Sequence, residues 1–144
     1  MMYFIAIFII LLDQWIKNII SNNMIFNQSI PVIKDIFHLT YIKNSGAGFG
    51  ILQGFKNFFI VITIVIAIII IIYHYKKEKS LLLNLAAGFI LGGAAGNLID
   101  RIRWGYVIDY LDFRIWPVFN LADSSLVLGV GLLIVYLWKY EERL

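Results

Sequence analysis

Four long runs of apolar residues follow one another along the chain, separated by stretches that hold most of the charged residues. The runs cover residues 3–20, 57–75, 81–99 and 120–138. Each approaches the roughly 20 residues that a helix needs to cross a bilayer. The second run has no Asp, Glu, Lys or Arg, which favours a helix facing lipid. The pattern predicts an all-α integral membrane protein with four transmembrane helices in a single domain, residues 1–144.

Composition agrees with a lipid environment. Hydrophobic residues make up 61% of the 144 residues and the mean hydropathy is +0.85, well above soluble proteins. The net charge of +3 is then expected to meet lipid head groups rather than nucleic acid. With no cysteine and two histidines, the chain offers no thiol nucleophile, and we expect no metal site and no cofactor.

The third run carries small residues at a regular spacing. Gly88, Gly92 and Gly96 recur every four residues, which places them along one slowly drifting stripe of a helix. Such small-xxx-small stripes let two membrane helices approach closely. Gly129 and Gly131 suggest the same close approach in the fourth run.

The connections between the runs differ in character. Residues 36–52, "IFHLTYIKNSGAGFGIL", alternate in polarity before a glycine-rich break, which predicts a small β-ribbon. Residues 107–113, "VIDYLDF", are predicted to form a short amphipathic helix on the membrane surface. Asp109 and Asp112 in that segment are predicted to be structural or interfacial.

The phrase Asn-Leu-x-Asp occurs twice, at Asn97–Asp100 and at Asn120–Asp123. Residues three apart share a helix face, and antiparallel third and fourth helices would bring both carboxylates to one depth. Two close carboxylates tend to share one proton, so one can activate water while the other protonates a leaving group. This is the chemistry of an aspartic protease, with the two Asn side chains orienting the carboxylates or holding a substrate carbonyl.

Each of these Asp residues also has a simpler interpretation. Asp123 or Asn120 could cap the fourth helix, and Asp100 could form an interfacial ion pair with Arg101. A small channel or proton-linked carrier would instead spread carboxylates through the membrane depth. A non-catalytic assembly factor would tolerate their loss. Ser124 and Ser125 would need a neighbouring Lys to form a Ser–Lys protease, and the local sequence offers none.

Two further groups of polar residues precede these phrases. Asp13 and Lys17 have the i,i+4 spacing that favours an ion pair, with Lys17 extending towards the membrane surface and Asp13 holding the outer loops. The segment "NSGAGFG" lacks the Lys-Ser/Thr ending of a phosphate-binding loop. It is expected to form a turn at a site wall, with the Asn44 amide facing a substrate.

The charges also bear on topology. Lys76, Lys77 and Lys79 form a dense cluster in the shortest connection, and Lys139 and Arg143 lie at the same end of the predicted bundle. Seven scattered Lys and Arg residues lie at the other end. Since short positive loops stay in the cytoplasm, the cluster favours cytoplasmic termini.

Five stretches, in this order, resemble the motifs of the bacterial lipoprotein signal peptidases, also called signal peptidase II. They are "DQWIK" near the first span's end, "NSGAGFG", "GGAAGNLIDR" at the end of the third span, "VIDYLDF", and "FNLADSS" at the start of the fourth. Each motif alone is weak. Together, on four spans in a chain of this length, they are specific and cover nearly the whole sequence.

The resemblance implies an aspartic endopeptidase of the bacterial cytoplasmic membrane, with a small extracytoplasmic β-sheet. Its implied substrates are prolipoproteins with a diacylglyceryl-modified Cys, cleaved just before that Cys close to the extracytoplasmic face. Both termini would be cytoplasmic and the enzyme a monomer among membrane lipids. By position, the implied catalytic residues are Asp100 and Asp123, those lining or supporting the site are Asn44, Gly46, Asn97, Arg101 and Asn120, and those with structural or supporting roles are Asp13, Lys17 and Asp109.

Overall fold

The computed structural model describes residues 1–46, 53–77 and 80–141. Four helices in these residues are long and apolar enough to cross a membrane, which confirms the four predicted spans. A three-stranded antiparallel sheet accompanies them. In chain order the elements are α1 (Met2–Asn23), β1 (Ser29–Ile33), β2 (Phe37–Asn44), α2 (Lys56–Lys76), α3 (Leu81–Trp104), β3 (Val107–Asp112) and α4 (Leu121–Glu141).

Helix α3 forms the centre of the bundle. It packs against α1, α2 and α4, and 61% of the residues in its most apolar 18-residue stretch are buried. The corresponding value for α2 is 6%, and in the described part of the chain this helix packs mainly against α3. Its apolar side chains are therefore left for lipid, as the unbroken hydrophobic run predicted.

The glycine stripe of α3 allows α1 to approach closely, which confirms the small-xxx-small prediction. A Cβ atom built on any of the three glycines would collide with α1. It would lie 2.7 Å from Cβ of Ile5 at Gly88, 2.7 Å from Cβ of Ile9 at Gly92, and 2.6 Å from Oδ2 of Asp13 at Gly96. Because the last neighbour is a carboxylate, the stripe also positions polar groups of the bundle.

Glycines also set the contact between α3 and α4. A Cβ at Gly129 would lie 2.7 Å from the Cγ1 atom of Ile90, and one at Gly93 would collide with the backbone carbonyl of Ala122. At Gly131 a Cβ would meet no atom within 4 Å among the described residues. The prediction of close packing is thus confirmed for Gly129 and wrong for Gly131.

The sheet has the order β1-β2-β3. Its first two strands confirm the β-ribbon predicted in the first connection, although residues 47–52 of that segment lie outside the described residues. The prediction of a surface helix at residues 107–113 is wrong, because residues 107–112 form β3 and pair with β2. A run of β-branched, aromatic and aliphatic residues suits a buried strand better than an interfacial helix.

The junction between α3 and β3 depends on one glycine. Gly105 ends α3 in the left-handed conformation with a φ of 82°, and its amide donates to the carbonyl of Arg101. This conformation is strained for residues with a Cβ. The sharp turn sends the chain directly from the end of α3 into the sheet, beside the start of α4.

Candidate active site

A cavity of about 340 Å³ lies where the end of α3, the start of α4 and strands β2 and β3 meet. Its wall is polar on one side and apolar on the other. The polar lining side chains are those of Asn44, Thr63, Asn97, Arg101, Asp109 and Asp123, and Gly46 also borders the cavity. The apolar part includes Ile66, Ala94, Trp116, Val118, Phe119 and Leu126. A polar patch beside a large apolar surface suits a ligand that carries both kinds of group.

The start of α4 is held by a reciprocal capping arrangement. The backbone amide of Asp123 donates to Oδ1 of Asn120 at 2.9 Å, and the amide of Asn120 donates to Oδ2 of Asp123 at 3.3 Å. This is the geometry of a capping box with Asp in the third helical position. The capping interpretation of "NLAD" is therefore correct for Asn120, while Asp123 retains a free face towards the cavity.

Two other elements complete the cap of α4. The amide of Leu121 donates to the hydroxyl of Tyr110 on β3 at 3.2 Å, and the amide of Ala122 donates to Oδ1 of Asp13 on α1 at 3.0 Å. The first amides of a helix have no partner within the helix itself. Here the side chains of Tyr110 on β3, Asp13 on α1 and the capping residue Asn120 accept from these amides. Together they fix the orientation of the start of α4, where Asp123 lies.

Asp123 faces the cavity and accepts a short hydrogen bond from α3. Nδ2 of Asn97 donates to Oδ1 of Asp123 at 2.7 Å. Together with the amide of Asn120, this bond gives each carboxylate oxygen a donor. Charge on Asp123 is stabilised by these donors and by the position of the residue in the first turn of a helix.

Asp109 lies on the same cavity, on β3. Oδ1 of its carboxylate accepts from Nδ2 of Asn120 at 2.7 Å, and Oδ2 accepts from Nδ2 of Asn44 at 2.9 Å. The register of β2 and β3 pairs Asn44 with Val107, which places Asn44 diagonally across from Asp109 on one face of the sheet. Burial, and then the charge of Asp123, raise the pKa of Asp109 to about 7.

Asp100 lies apart from these two carboxylates. It is absent from the described lining of the 340 Å³ cavity and borders a second cavity of about 350 Å³ on the other side of α3. Only 1% of the residue is exposed. Its Oδ2 atom pairs with Nζ of Lys17 at 2.9 Å and accepts the amide of Ile108 at 3.1 Å, and its Oδ1 accepts from Gln14 at 2.8 Å. Asp100 therefore joins α3 to α1 and β3.

The predicted ion pair between Asp13 and Lys17 is confirmed, with 2.8 Å between Oδ2 and Nζ. The prediction that Lys17 extends to the membrane surface is wrong, because the residue is 2% exposed and its ammonium turns inward to Asp100 and Asn97. Asp13 holds the amide of Ala122 at the start of α4 rather than the outer loops. Acceptors gathered in the bundle interior favour this inward position over snorkelling.

Arg101 connects the first loop to α3. Its Nη2 atom donates to the carbonyl of Gly46 at 3.2 Å, and its guanidinium lies 4.8 Å from the ring centroid of Phe59. The amide of Gly46 in turn donates to Oδ1 of Asn44, which fixes the turn at the cavity wall. The alternative ion pair between Asp100 and Arg101 is not found among the described residues, where Asp100 forms its ion pair with Lys17.

Two residues of the site, Gln14 and Asp109, have roles that the sequence did not predict. Gln14 links three acceptors, the carboxylates of Asp13 and Asp100 and the carbonyl of Gly96, which its position in the "DQWIK" motif did not reveal. The second is Asp109, for which the sequence predicts a structural or interfacial role, whereas it lies on the cavity with Asp123. Read as a strand, "VIDYLD" places Asp109 and Asp112 on opposite faces, so strand periodicity could have separated their roles.

The hydroxyls next to Asp123 are engaged by the helix backbone. The Oγ atom of Ser124 donates to the carbonyl of Asn120 at 3.0 Å, and that of Ser125 donates to the carbonyl of Leu121 at 2.8 Å. Among the charged pairs found in the described chain, Lys17 joins Asp13 and Asp100 and not these serines. The geometry thus gives no support to a Ser–Lys protease.

Comparison with known proteins agrees with this architecture. The family model for signal peptidase (SPase) II matches residues 5–139. The lipoprotein signal peptidase of Halothermothrix orenii is 58% identical over 142 residues, which cover 99% of this chain and 98% of that protein. The lipoprotein signal peptidase of Clostridioides difficile is 39% identical and covers 99% of both chains. A bacterial membrane enzyme solved by the in meso method at 2.3 Å resolution superposes with a TM-score of 0.90 at 38% identity, covering 99% of this chain and 90% of its own.

The chain belongs to the signal peptidase II family. Membership confirms the resemblance drawn from the five motifs, and it makes the chain a peptidase rather than a channel, a carrier or an assembly factor. The four long apolar helices, together with the bacterial membrane enzyme that shares the fold, make this signal peptidase II a multi-pass bacterial membrane protein. The site geometry can therefore be considered as that of a membrane peptidase.

Proposed function

We propose that the chain is an aspartic endopeptidase that removes signal peptides from prolipoproteins, with Asp109 and Asp123 as its catalytic pair. The observation that carries the proposal is that these two carboxylates line one cavity and interact electrostatically. A pKa of about 7 at Asp109 lets the pair hold one proton between them near neutral pH. Such a pair contains both a base and an acid, as amide hydrolysis requires.

This pair differs from the one that the sequence predicted, since Asp109 replaces Asp100. The reason is geometric. Both oxygens of Asp100 are occupied by Lys17, Ile108 and Gln14, and the residue borders a different cavity. Among the described residues, Asp109 accepts from two neutral side-chain amides, and it faces the same space as Asp123. We therefore assign a structural role to Asp100.

The proposed reaction uses one water molecule and restores both carboxyl groups. The Asp123 carboxylate accepts a proton from water while the water oxygen forms a bond to the scissile carbonyl carbon. Protonated Asp109 donates its proton to the carbonyl oxygen. In the tetrahedral intermediate, Asp123 passes its proton to the amide nitrogen, the carbon–nitrogen bond breaks, and Asp109 recovers a proton from the intermediate hydroxyl as the new carboxylic acid forms.

The amide groups around the cavity are consistent with Asp123 as the base and Asp109 as the acid. Asn97 and the amide of Asn120 donate to the carboxylate of Asp123 and hold it in place at the cavity. The neutral side chains of Asn44 and Asn120 hold Asp109 in place, while burial favours its protonated form. Arg101 lies on the same cavity, and its guanidinium carries five N–H donors of the kind that suit a substrate carbonyl.

The apolar wall of the cavity suits a lipid-modified substrate. Ile66 on α2 and Leu126 on α4 form part of this wall, with Trp116 and Val118 on the loop before α4. These residues lie where the helices meet the sheet, so acyl chains could stay in the bilayer while the peptide reaches the carboxylates. We accordingly propose diacylglyceryl-prolipoproteins as substrates, cleaved just before the modified Cys, with surrounding membrane lipids in contact with the bundle.

We also propose a membrane orientation. Four crossings put both termini at the end of the bundle opposite the sheet. Lys76, Lys77 and Lys139 lie at that end, while Lys79 and Arg143 fall outside the described residues. Since short basic loops favour the cytoplasm, the sheet and the cavity face the extracytoplasmic side. The chain is expected to act as a monomer, which its mass in a membrane mimetic would test.

The deciding experiment is cleavage of a diacylglyceryl-prolipoprotein by the purified enzyme and three variants, Asp109→Asn, Asp123→Asn and Asp100→Asn. We expect the first two to be folded and inactive. Asp100→Asn is expected to lower the unfolding temperature while its folded fraction keeps the pH optimum of the wild type. Full activity of Asp109→Asn would refute the assigned pair. A chelator is expected to leave wild-type activity unchanged, and loss with a chelator would instead indicate a metal enzyme.

A further inference from the structure

The ammonium group of Lys17 lies at the centre of a buried polar cluster. Nζ contacts Oδ2 of Asp13 at 2.8 Å, Oδ2 of Asp100 at 2.9 Å and Oδ1 of Asn97 at 3.0 Å. A lysine ammonium has three N–H donors, and here three acceptors receive them. The two carboxylates neutralise the charge, whereas the bond to Asn97 is not needed for neutralisation.

The bond to Asn97 determines which way its side-chain amide points. Oδ1 accepts from Nζ of Lys17 at 3.0 Å and from Nδ2 of Asn120 at 3.2 Å. With donors on that side, Nδ2 must lie on the other side, where it donates to Oδ1 of Asp123 at 2.7 Å. A flipped amide would turn its oxygen towards the Asp123 carboxylate and its hydrogens towards the Lys17 ammonium, so both contacts would become repulsive.

Of the two groups that donate to Oδ1 of Asn97, the Lys17 ammonium has fewer competing acceptors for each of its hydrogens than the Asn120 amide. Nδ2 of Asn120 has two hydrogens but lies within reach of three acceptors: Oδ1 of Asp109 at 2.7 Å, the carbonyl of Ile108 at 3.2 Å and Oδ1 of Asn97 at 3.2 Å. The carboxylate attracts it most strongly. Asn120 therefore cannot hold the Asn97 amide by itself, while Lys17 adds a donor with a full positive charge.

We infer that Lys17 is a positioning residue for the peptidase reaction, acting through the amide of Asn97 to keep a donor directed at Asp123. Lys17 does not line the cavity that holds Asp109 and Asp123 among the residues described there. Its effect reaches that cavity through a relay of two hydrogen bonds, from Nζ to Oδ1 of Asn97 and from Nδ2 to Asp123. The inference rests on the proposed catalytic role of Asp123.

A double-mutant cycle tests the relay. Lys17→Met, Asn97→Ala and the double variant are assayed on a diacylglyceryl-prolipoprotein, with kcat and KM measured over a pH series. Since a hydrogen bond to a charged group contributes about 1.5–3 kcal/mol, each single variant should lower kcat by roughly 10- to 100-fold, with KM changed less. In each, the acidic limb of the kcat profile should move to higher pH. If Lys17 acts through Asn97, the double variant should lie within about twofold of Asn97→Ala.

Gln14→Met is the matched control. Gln14 belongs to the same buried cluster and donates to Asp100, Asp13 and the carbonyl of Gly96, and in the described part of the chain its side chain makes no hydrogen bond to Asn97 or Asp123. It should lower the unfolding temperature and leave the pH profile in place. If Lys17→Met does not fold, Lys17→Met with Asp100→Asn preserves the formal cluster charge of −1, since it removes one cation and one anion. The double variant Lys17→Met/Asp100→Asn is then compared with Asp100→Asn alone. The acidic limb of its kcat profile is expected to lie at higher pH, as for Lys17→Met in the wild-type background.

The outcomes separate the two proposals. If Asp123→Asn is inactive but the losses from Lys17→Met and Asn97→Ala multiply in the double variant, the relay is refuted and the catalytic pair stands. An unmoved pH profile in Lys17→Met, with only a lower unfolding temperature, would likewise reduce Lys17 to a structural ion pair. If Asp123→Asn keeps full activity, the catalytic assignment itself fails.

Discussion

The raised pKa of Asp109 predicts that the enzyme loses stability as the pH rises towards neutrality. The pKa of about 7 in the folded protein compares with 3.8 for an unperturbed Asp. Each pH unit of difference corresponds to about 1.36 kcal/mol, so the folded state holds this proton more tightly by about 4 kcal/mol. Below pH 4 both states carry the proton and the contribution is fully present. Between about pH 4 and pH 7 only the unfolded state releases it, and stability falls.

Reversible unfolding in detergent micelles measures this effect. Wild type and Asp109→Asn are compared from pH 4 to pH 8, with the free energy of unfolding determined at each value. We expect the free energy of the wild type, relative to that of the variant, to fall by about 4 kcal/mol over this range and to level off above pH 7. The comparison uses the slopes of the free energy of unfolding against pH. The pH-independent cost of replacing a carboxylate oxygen by an amide nitrogen therefore cancels.

Asp112 on the same strand provides a control of opposite sign. Burial raises the pKa of Asp112, but hydrogen bonds from Thr40 and Arg114 outweigh burial and hold it below the usual value. Asp112→Asn should therefore remove a contribution that is present above about pH 4 and lost as the pH falls. Equal pH slopes in wild type and Asp109→Asn would refute the reasoning, because Asp109 would then titrate alike in both states.

Three further substitutions give separate tests. Gly96→Ala places a Cβ 2.6 Å from a carboxylate oxygen of Asp13, so the unfolding temperature and the rate of cleavage should both fall. Gly131→Ala is the control: a Cβ there meets no described atom within 4 Å, so neither quantity should change. Asn120→Ala removes the cap of α4 and a donor to the proposed catalytic pair, so stability should fall by about 1 kcal/mol and kcat by at least about tenfold, measured by unfolding and cleavage. Gly105→Ala forces a φ of 82° on a residue with a Cβ, and the free energy of unfolding should fall by about 1 kcal/mol. An unchanged unfolding temperature in Gly96→Ala or Gly105→Ala, or wild-type kcat in Asn120→Ala, would contradict the corresponding argument.

The helices could be predicted from the sequence because the bilayer imposes one strong constraint, a continuous apolar run of sufficient length. The close packing at the α3 stripe also followed from residue size, since Gly88, Gly92 and Gly96 leave room for a near neighbour, but which helix packs there did not. These features are local and periodic. They depend little on which distant residues meet.

The site was harder to predict because its members come from separate elements. The two Asn-Leu-x-Asp phrases correctly indicated that Asn97 and Asn120 share a site with Asp123, but they also suggested that Asp100 faces it. The rotation of α3 decides that question, and it turns Asp100 towards Lys17. Neither the rotation nor the strand at Asp109 could be predicted from spacing alone.

The cap of α4 has a consequence for the newly made protein. The carboxylate of Asp123 is positioned by contacts from three other elements: side chains of α1 and β3 hold the first amides of α4, and Asn97 of α3 donates to the carboxylate itself. A chain that is partly inserted in the membrane holds no such arrangement. With Asp123 in its proposed catalytic role, proteolytic activity should therefore emerge only when α4 has docked against α1, α3 and β3.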